Sequence, residues 1–131
     1  GSKTPLSQKV LDEKQEKLHF VKKIPTEINP IIWTEMITEL CEKEEIEVSD
    51  VNHFFFTQIN INTIFETLDN LGLEREKAIT IMHEYGYTGS ACIPMAYAVA
   101  DNEEKRIKDG DLIIFMGSGG GLAFACSLFR K

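Results

Sequence analysis

Leu112-Ile113-Ile114-Phe115-Met116-Gly117-Ser118-Gly119-Gly120-Gly121-Leu122-Ala123-Phe124-Ala125-Cys126-Ser127-Leu128-Phe129 is a stretch of 18 residues without a charge. That is the lower limit for a membrane-spanning helix. Gly117 and the run Gly119 to Gly121 sit in its middle, with Ser118 among them and Ser127 beyond. Glycine clustered at that place weakens a helix. Two buried strands, over 112–116 and 122–129, joined by a glycine turn, explain the stretch better than a span. Upstream, Lys108-Asp109-Gly110 reads as a turn. Residues 90–102 read as a helix, in which Pro94 is tolerated because it lies close to the start. Before it come the small-residue turn 86–90 and a short strand over 78–82.

The alternation continues toward the N-terminus. Ile61, Ile64, Phe65 and Leu68 share one face of a helix over 60–71, which Gly72 ends as the residue after its last turn. Residues 52–57 read as a strand around Phe54-Phe55-Phe56, too apolar to have a wet face. A run buried on both sides predicts a central strand covered by helices. A first helix spans 29–44, with Asn29 as its cap and Pro30 at its first position. Trp33, Met36, Ile37, Leu40 and Cys41 form its buried stripe. Residues 43–49 are a polar linker, 18–21 a short edge strand, and 3–17 a charged tail or loop. The fold class is therefore α/β: a mixed sheet of four to five strands with three to four helices packed on it.

Composition bounds the function. The 131 residues suit one domain. Lys plus Arg is 14 and Asp plus Glu is 21, a net charge of −7. With a pI near 5.0 this argues against a nucleic-acid groove. Cys41, Cys92 and Cys126 form no C-x-x-C pair, which fits reduced thiols in a cytoplasmic setting rather than a disulfide framework or zinc site. Residues 3–17 mix Lys, Glu, Gln and Asp and do not read as a secretory signal. Gly1-Ser2 looks like a cloning remnant, so the expected organisation is a remnant and flexible segment over 1–17, then a domain over 18–131 cut from a longer protein.

Three polar places stand out. The run Gly117-Ser118-Gly119-Gly120-Gly121 lacks the Lys of a phosphate loop and leads into a strand, not a helix. A dinucleotide fingerprint needs glycine where Leu122 stands. A plain strand connection needs fewer glycines, so a backbone oxyanion site is the sharper reading. The turn Gly86-Tyr87-Thr88-Gly89-Ser90 opens a helix at a strand's end and offers three hydroxyls. Thr57-Gln58-Ile59-Asn60 does the same after the central strand. Helix capping is the plainer account of each of the last two. Two such ends on the same side favour a shared site more than either does alone. His19, His53 and His83 have no metal-ligand spacing, and His83 lies four residues before Tyr87.

These same segments carry a resemblance. Gly86-Tyr87-Thr88-Gly89-Ser90-Ala91-Cys92-Ile93-Pro94-Met95-Ala96 is similar to the G-N-T-S-A-A-S-I-P-L-A block of β-ketoacyl-acyl-carrier-protein synthase III. Arg106-Ile107-Lys108-Asp109-Gly110-Asp111-Leu112 resembles its R-I-K-P-G-D-L. Gly119-Gly120-Gly121, ending in Leu128-Phe129-Arg130, resembles its terminal G-G-G-F-T-W-G-S-A-L-V-R, and Phe56-Thr57-Gln58-Ile59-Asn60 falls on P-H-Q-A-N. The likeness covers about residues 18–131, the C-terminal half of such an enzyme. It implies a thiolase-like fold, in which two similar halves pair and whole proteins dimerise. It implies condensation of an acyl group, delivered as acyl-coenzyme A and held on a cysteine, with malonyl on an acyl carrier protein, without a metal or other cofactor.

The departures are as informative. The nucleophilic cysteine belongs to the absent N-terminal half, and Cys41, Cys92 and Cys126 do not match it. The family's catalytic His falls on Thr57 and its catalytic Asn on Tyr87. Its carrier-receiving basic residue falls on Asn62. Gly120 keeps the place of the oxyanion glycine, and Asn60, Gly119 and Gly121 keep flanking substrate-binding places. Thr57 and Tyr87 donate hydrogen bonds but are not bases near neutral pH. The resemblance thus implies an acyltransferase of fatty-acid or polyketide synthesis with an altered site. The alternatives are a non-catalytic acyl-binding or scaffolding partner of a condensing enzyme, and a small-molecule binding module. An isolated half is expected to self-associate through the face its other half covers.

Overall fold

A computed structural model describes residues 5–17, 25–120 and 122–131. The glycine-split stretch is a hairpin. Strand β2, Leu112–Gly119, pairs antiparallel with β3, Ala123–Arg130, from Leu112 opposite Arg130 to Gly119 opposite Ala123. The ladder runs through Gly117, Ser118 and Gly119, so the connection is shorter than the expected turn. On its other edge β2 pairs in parallel with β1, His53–Phe56. The sheet is mixed, as alternating helices and strands require.

Among the described residues it has three strands, in the order β1-β2-β3, fewer than the four to five expected. The expected strand over 78–82 is reduced to a single parallel bridge between Phe54 and Ala78. Beyond it Ile79 N donates to Phe54 O at 3.0 Å, and then the side chain of Gln58 replaces a main-chain partner. Its Nε2 donates to Ile79 O at 3.1 Å and its Oε1 accepts from Ile81 N at 2.8 Å. A ladder satisfied by a side chain does not propagate, and the chain turns into a short helix, Met82–Tyr85. The expected edge strand over 18–21, His19 and the remnant Gly1-Ser2 lie outside the described residues.

Helices cover both faces of β1, as its apolar run predicts. Helix α2 is Ile28–Lys43 and helix α3 is Ile61–Asn70. Trp33, Ile37 and Cys41 from α2 meet Ile64 and Leu68 from α3 over Phe54, Phe56 and Met116. Phe55 points the other way, into a second core with Ile113 and with Ala96 and Ala100 from the segment after residue 90. That segment starts as a 3-10 turn at Gly89–Ala91, becomes a helix at Cys92–Ala98, and ends in a π turn at Val99–Glu103. Strand β3 only half-buries one face. Phe124, Cys126 and Leu128 pack toward α2 and α3, while Phe129 on the other face is 54% exposed.

Two helix boundaries differ from expectation. Residues 3–17 hold a helical turn, Gln8–Asp12, because Ser7 Oγ accepts from Val10 N at 3.3 Å and Val10 is buried. In α2 the cap position is Glu27, not Asn29, since Ile28 N already bonds back to Pro25 O. Pro30 still lies in the first turn, where a missing N–H costs nothing. Gly72, with φ +68°, closes α3 as expected. No helix among the described residues is long and apolar enough to cross a membrane.

The end of the sheet away from the glycines is held by Asp111. Its Oδ2 accepts from Lys108 N at 2.8 Å and meets His53 Nε2 at 3.0 Å. The Lys108 amide above all, with His53 helping, holds this carboxyl below the ordinary carboxylate range. A carboxyl depressed in the folded state stabilises the fold above its unfolded pKa, near pH 4, and that contribution fades as pH falls through the folded value. Urea unfolding of Asp111→Asn at pH 6 is expected to show a loss of about 1–2 kcal/mol. The gap to the parent chain should narrow as pH falls below about 4, and a gap undiminished by acid would refute the assignment.

Candidate functional site

At the glycine end of the sheet, three segments surround an open cleft of about 510 Å³. The first is the end of β1. Thr57 N donates to Met116 O at 3.0 Å, one residue past the strand. This register brings Thr57 to the cleft wall, where it is 94% buried by its 6% exposure. Its Oγ1 accepts from Ser118 N at 2.9 Å. The second segment carries Tyr87, Gly89, Ser90 and Cys92. Gly86, at φ +67° and ψ −159°, bends the chain as only glycine does without strain, directly before Tyr87. Tyr87 is 49% exposed, at the mouth. The third is the hairpin tip, with Gly119 and Gly120. Gly120 follows the last paired residue of β2, so its N–H lies outside the ladder.

The cleft thus gathers Thr57, Tyr87, Gly119 and Gly120, all singled out by the sequence. Asn60 is not on its wall. Its side chain caps α3, accepting from Asn62 N at 3.0 Å, so the plainer account of that residue holds. Gly121 lies outside the described residues. His83 stands off the cleft with its side chain 68% exposed.

Sequence reasoning passed over Ser118 and Cys92. Ser118 is the one side chain within Gly117-Ser118-Gly119-Gly120, and its Oγ accepts from Trp33 Nε1 at 2.7 Å and donates to Asn29 Oδ1 at 3.4 Å. The signal was a hydroxyl inside a glycine run, with a tryptophan whose N–H needed an acceptor. Trp33 and Asn29 read as core and cap from their local patterns alone. Cys92 is buried on the cleft wall. The other thiols are poor nucleophiles. Burial pushes Cys126 up to about 11, and burial together with the Asp50 charge raises Cys41.

Chemically, the cleft offers the hydroxyls of Thr57, Tyr87, Ser90 and Ser118, the Cys92 thiol and glycine backbone, with walls from Ile93, Phe124 and Ala125. Among its wall residues there is no carboxylate, histidine or lysine. Such a set donates hydrogen bonds to a developing negative oxygen and supplies no general base. Among the described residues no three His, Cys, Asp or Glu side chains group as metal ligands.

Residues 41–131 match the family model described as 3-oxoacyl-[acyl-carrier-protein (ACP)] synthase III C terminal. The chain is 35% identical over 130 residues to β-ketoacyl-[acyl-carrier-protein] synthase III of Aliarcobacter butzleri (strain RM4018), covering 99% of this chain and 39% of the relative. It is 38% identical over 99 residues to the synthase III of Clostridium perfringens (strain ATCC 13124), covering 76% of this chain and 30% of that one. The crystal structure of 3-oxoacyl-[acyl-carrier-protein] synthase III from Aquifex aeolicus VF5 superposes with a TM-score of 0.78 at 29% identity, over 81% of this chain and 34% of that chain. The chain spans 30–39% of the length of these relatives.

Proposed function

Because the chain belongs to the 3-oxoacyl-[acyl-carrier-protein] synthase III C-terminal family, we propose that it forms the donor side of an acyl-transfer site, completed by an N-terminal half. The observation that carries this reading is the single cleft on which Thr57, Tyr87 and Gly120 meet. These are the positions that match the family's histidine, asparagine and oxyanion glycine. Decarboxylation of a malonyl thioester leaves an enolate oxygen, and that oxygen needs donors. The Thr57 and Tyr87 hydroxyls meet that need, while activation of the partner half's cysteine by a histidine at position 57 is lost. Substrates are acyl-coenzyme A and malonyl-acyl-carrier protein, with no further cofactor. The setting is cytoplasmic, and the whole protein is a homodimer.

The apolar surface supports the missing half. Ile93, Pro94, Tyr97 and Phe115 line an open groove of about 280 Å³, and Phe129 stands exposed beside Phe115, with ring centroids 5.4 Å apart. Exposed aromatic surface of this kind is normally covered. The relatives are two to three times as long as this chain, and the N-terminal half of the same protein is the occupant of this face.

The test is malonyl decarboxylation by the whole protein that carries this chain. Thr57→Ala and Tyr87→Phe are each expected to lower the rate about tenfold to hundredfold, the worth of one hydrogen bond to a charged oxygen. Unchanged rates in both variants would refute the reading. Acyl-thioester binding without turnover would identify a non-catalytic acyl-binding partner instead.

A further inference from the structure

We propose that Ser118 is a positioning residue that makes the Thr57 hydroxyl a hydrogen-bond donor toward the cleft. A threonine hydroxyl has one proton and two acceptor sites. Ser118 N–H occupies an acceptor site of Thr57 Oγ1, at 2.9 Å. Among the described residues no protein acceptor takes the Thr57 proton. Thr57 is buried on the cleft wall, so that proton is left for whatever enters the cleft. The hydroxyl takes the place at the end of the β1–β2 ladder that a main-chain carbonyl holds elsewhere in it, and this fixes its direction.

The donor of that bond is itself held from the side. Ser118 lies between Gly117 and Gly119, which have no side chains to restrain the strand end. Its own Oγ supplies the restraint. It accepts from Trp33 Nε1 at 2.7 Å and donates to Asn29 Oδ1 at 3.4 Å, both residues of α2. Trp33 is fully buried and stacks on Phe56 with ring centroids 5.1 Å apart, so the anchor is rigid. A chain of contacts therefore runs from the α2 core through Ser118 to Thr57. It sets the rotamer of one side chain.

The geometric part of the inference stands on the hydrogen bonds, and its catalytic part rests on the enolate reading above. The test separates them. In the 131-residue chain, three-bond couplings to the Thr57 Cγ2 report its χ1 rotamer by NMR. One rotamer is expected in the parent chain and in Ser118→Thr, and averaged couplings in Ser118→Ala. Trp33→Phe withdraws the same anchor from the other side and is expected to loosen Thr57 likewise. A Thr57 that keeps one rotamer in both Ser118→Ala and Trp33→Phe would overturn the proposal, whatever the activity. In the whole protein, Ser118→Ala and Thr57→Val are each expected to lower kcat for malonyl decarboxylation about tenfold, the worth of one hydrogen bond, with KM unchanged. The double variant should be no slower than Thr57→Val. Effects that multiply would overturn the proposal as well. Rotamer averaging together with an inactive parent enzyme would uphold the positioning and refute the enolate reading.

Discussion

Replacing Gln58 by leucine is expected to lower the stability of the chain by about 2–5 kcal/mol, because two buried backbone groups lose their partners at once. Gln58 is fully buried, and its amide bonds both Ile79 O and Ile81 N. Leucine fills similar space and satisfies neither. Urea unfolding reads the loss, and a value under about 1 kcal/mol would show that the segment around Ile79 and Ile81 finds other partners. Gln58→Glu adds a sign. A carboxylate accepts from Ile81 N but faces the Ile79 carbonyl, and burial raises its pKa above the ordinary value near 4.3. A raised pKa gives stability that is fully present below the unfolded value and is lost as pH rises through the folded one. This variant should therefore be more stable at pH 4 than at pH 7, while Gln58→Leu shows no such difference from the parent.

The same side chain explains why the strand count was overestimated. Residues 78–82 have the composition of a strand, Ala78-Ile79-Thr80-Ile81-Met82, and three of them are buried as a strand would be. Periodicity reports burial but not the identity of the hydrogen-bond partner. Here the partner is a glutamine side chain 21 residues upstream of Ile79, which no local pattern displays. The apolar run Phe54-Phe55-Phe56 was legible for the converse reason. A strand covered on both faces has no polar positions, and both cores were implied by that run before any helix was placed.

The site was legible where backbone conformation limits residue choice. Glycines at 86 and 120 mark the places where the chain bends or leaves an N–H outside the ladder near the cleft. Thr57 and Tyr87 were marked by the resemblance, since their places at segment ends alone favour capping. Ser118 was not legible, because its partners Trp33 and Asn29 lie 85 and 89 residues away and each had a complete local explanation. Asn60 was read as a binding residue on resemblance, whereas its local pattern, asparagine before a helix, already described what it does. Spacing within a segment finds caps, bends and faces. Contacts between segments, which decide what a hydroxyl can donate to, come only with the fold.

Trp33→Ala is expected to cause the larger loss, about 3–5 kcal/mol, in line with truncation of a buried tryptophan. The side chain is at 0% exposure, stacks on Phe56 at 5.1 Å and packs within the core that joins α2 to β1 and β2. Truncation opens a cavity at that junction and leaves Ser118 Oγ without its strongest donor. Trp33→Phe divides the two contributions. It keeps most of the packing and drops the N–H, so about 1–2 kcal/mol is expected from the missing hydrogen bond and the smaller ring. Since Trp33 is the one tryptophan of the chain, unfolding of both variants is followed by far-ultraviolet circular dichroism in urea. A Trp33→Ala loss below about 2 kcal/mol would mean that the core collapses onto the gap. The α2 anchor would then be too soft to hold Ser118, and the donor direction of Thr57 would have to come from the strand pairing alone.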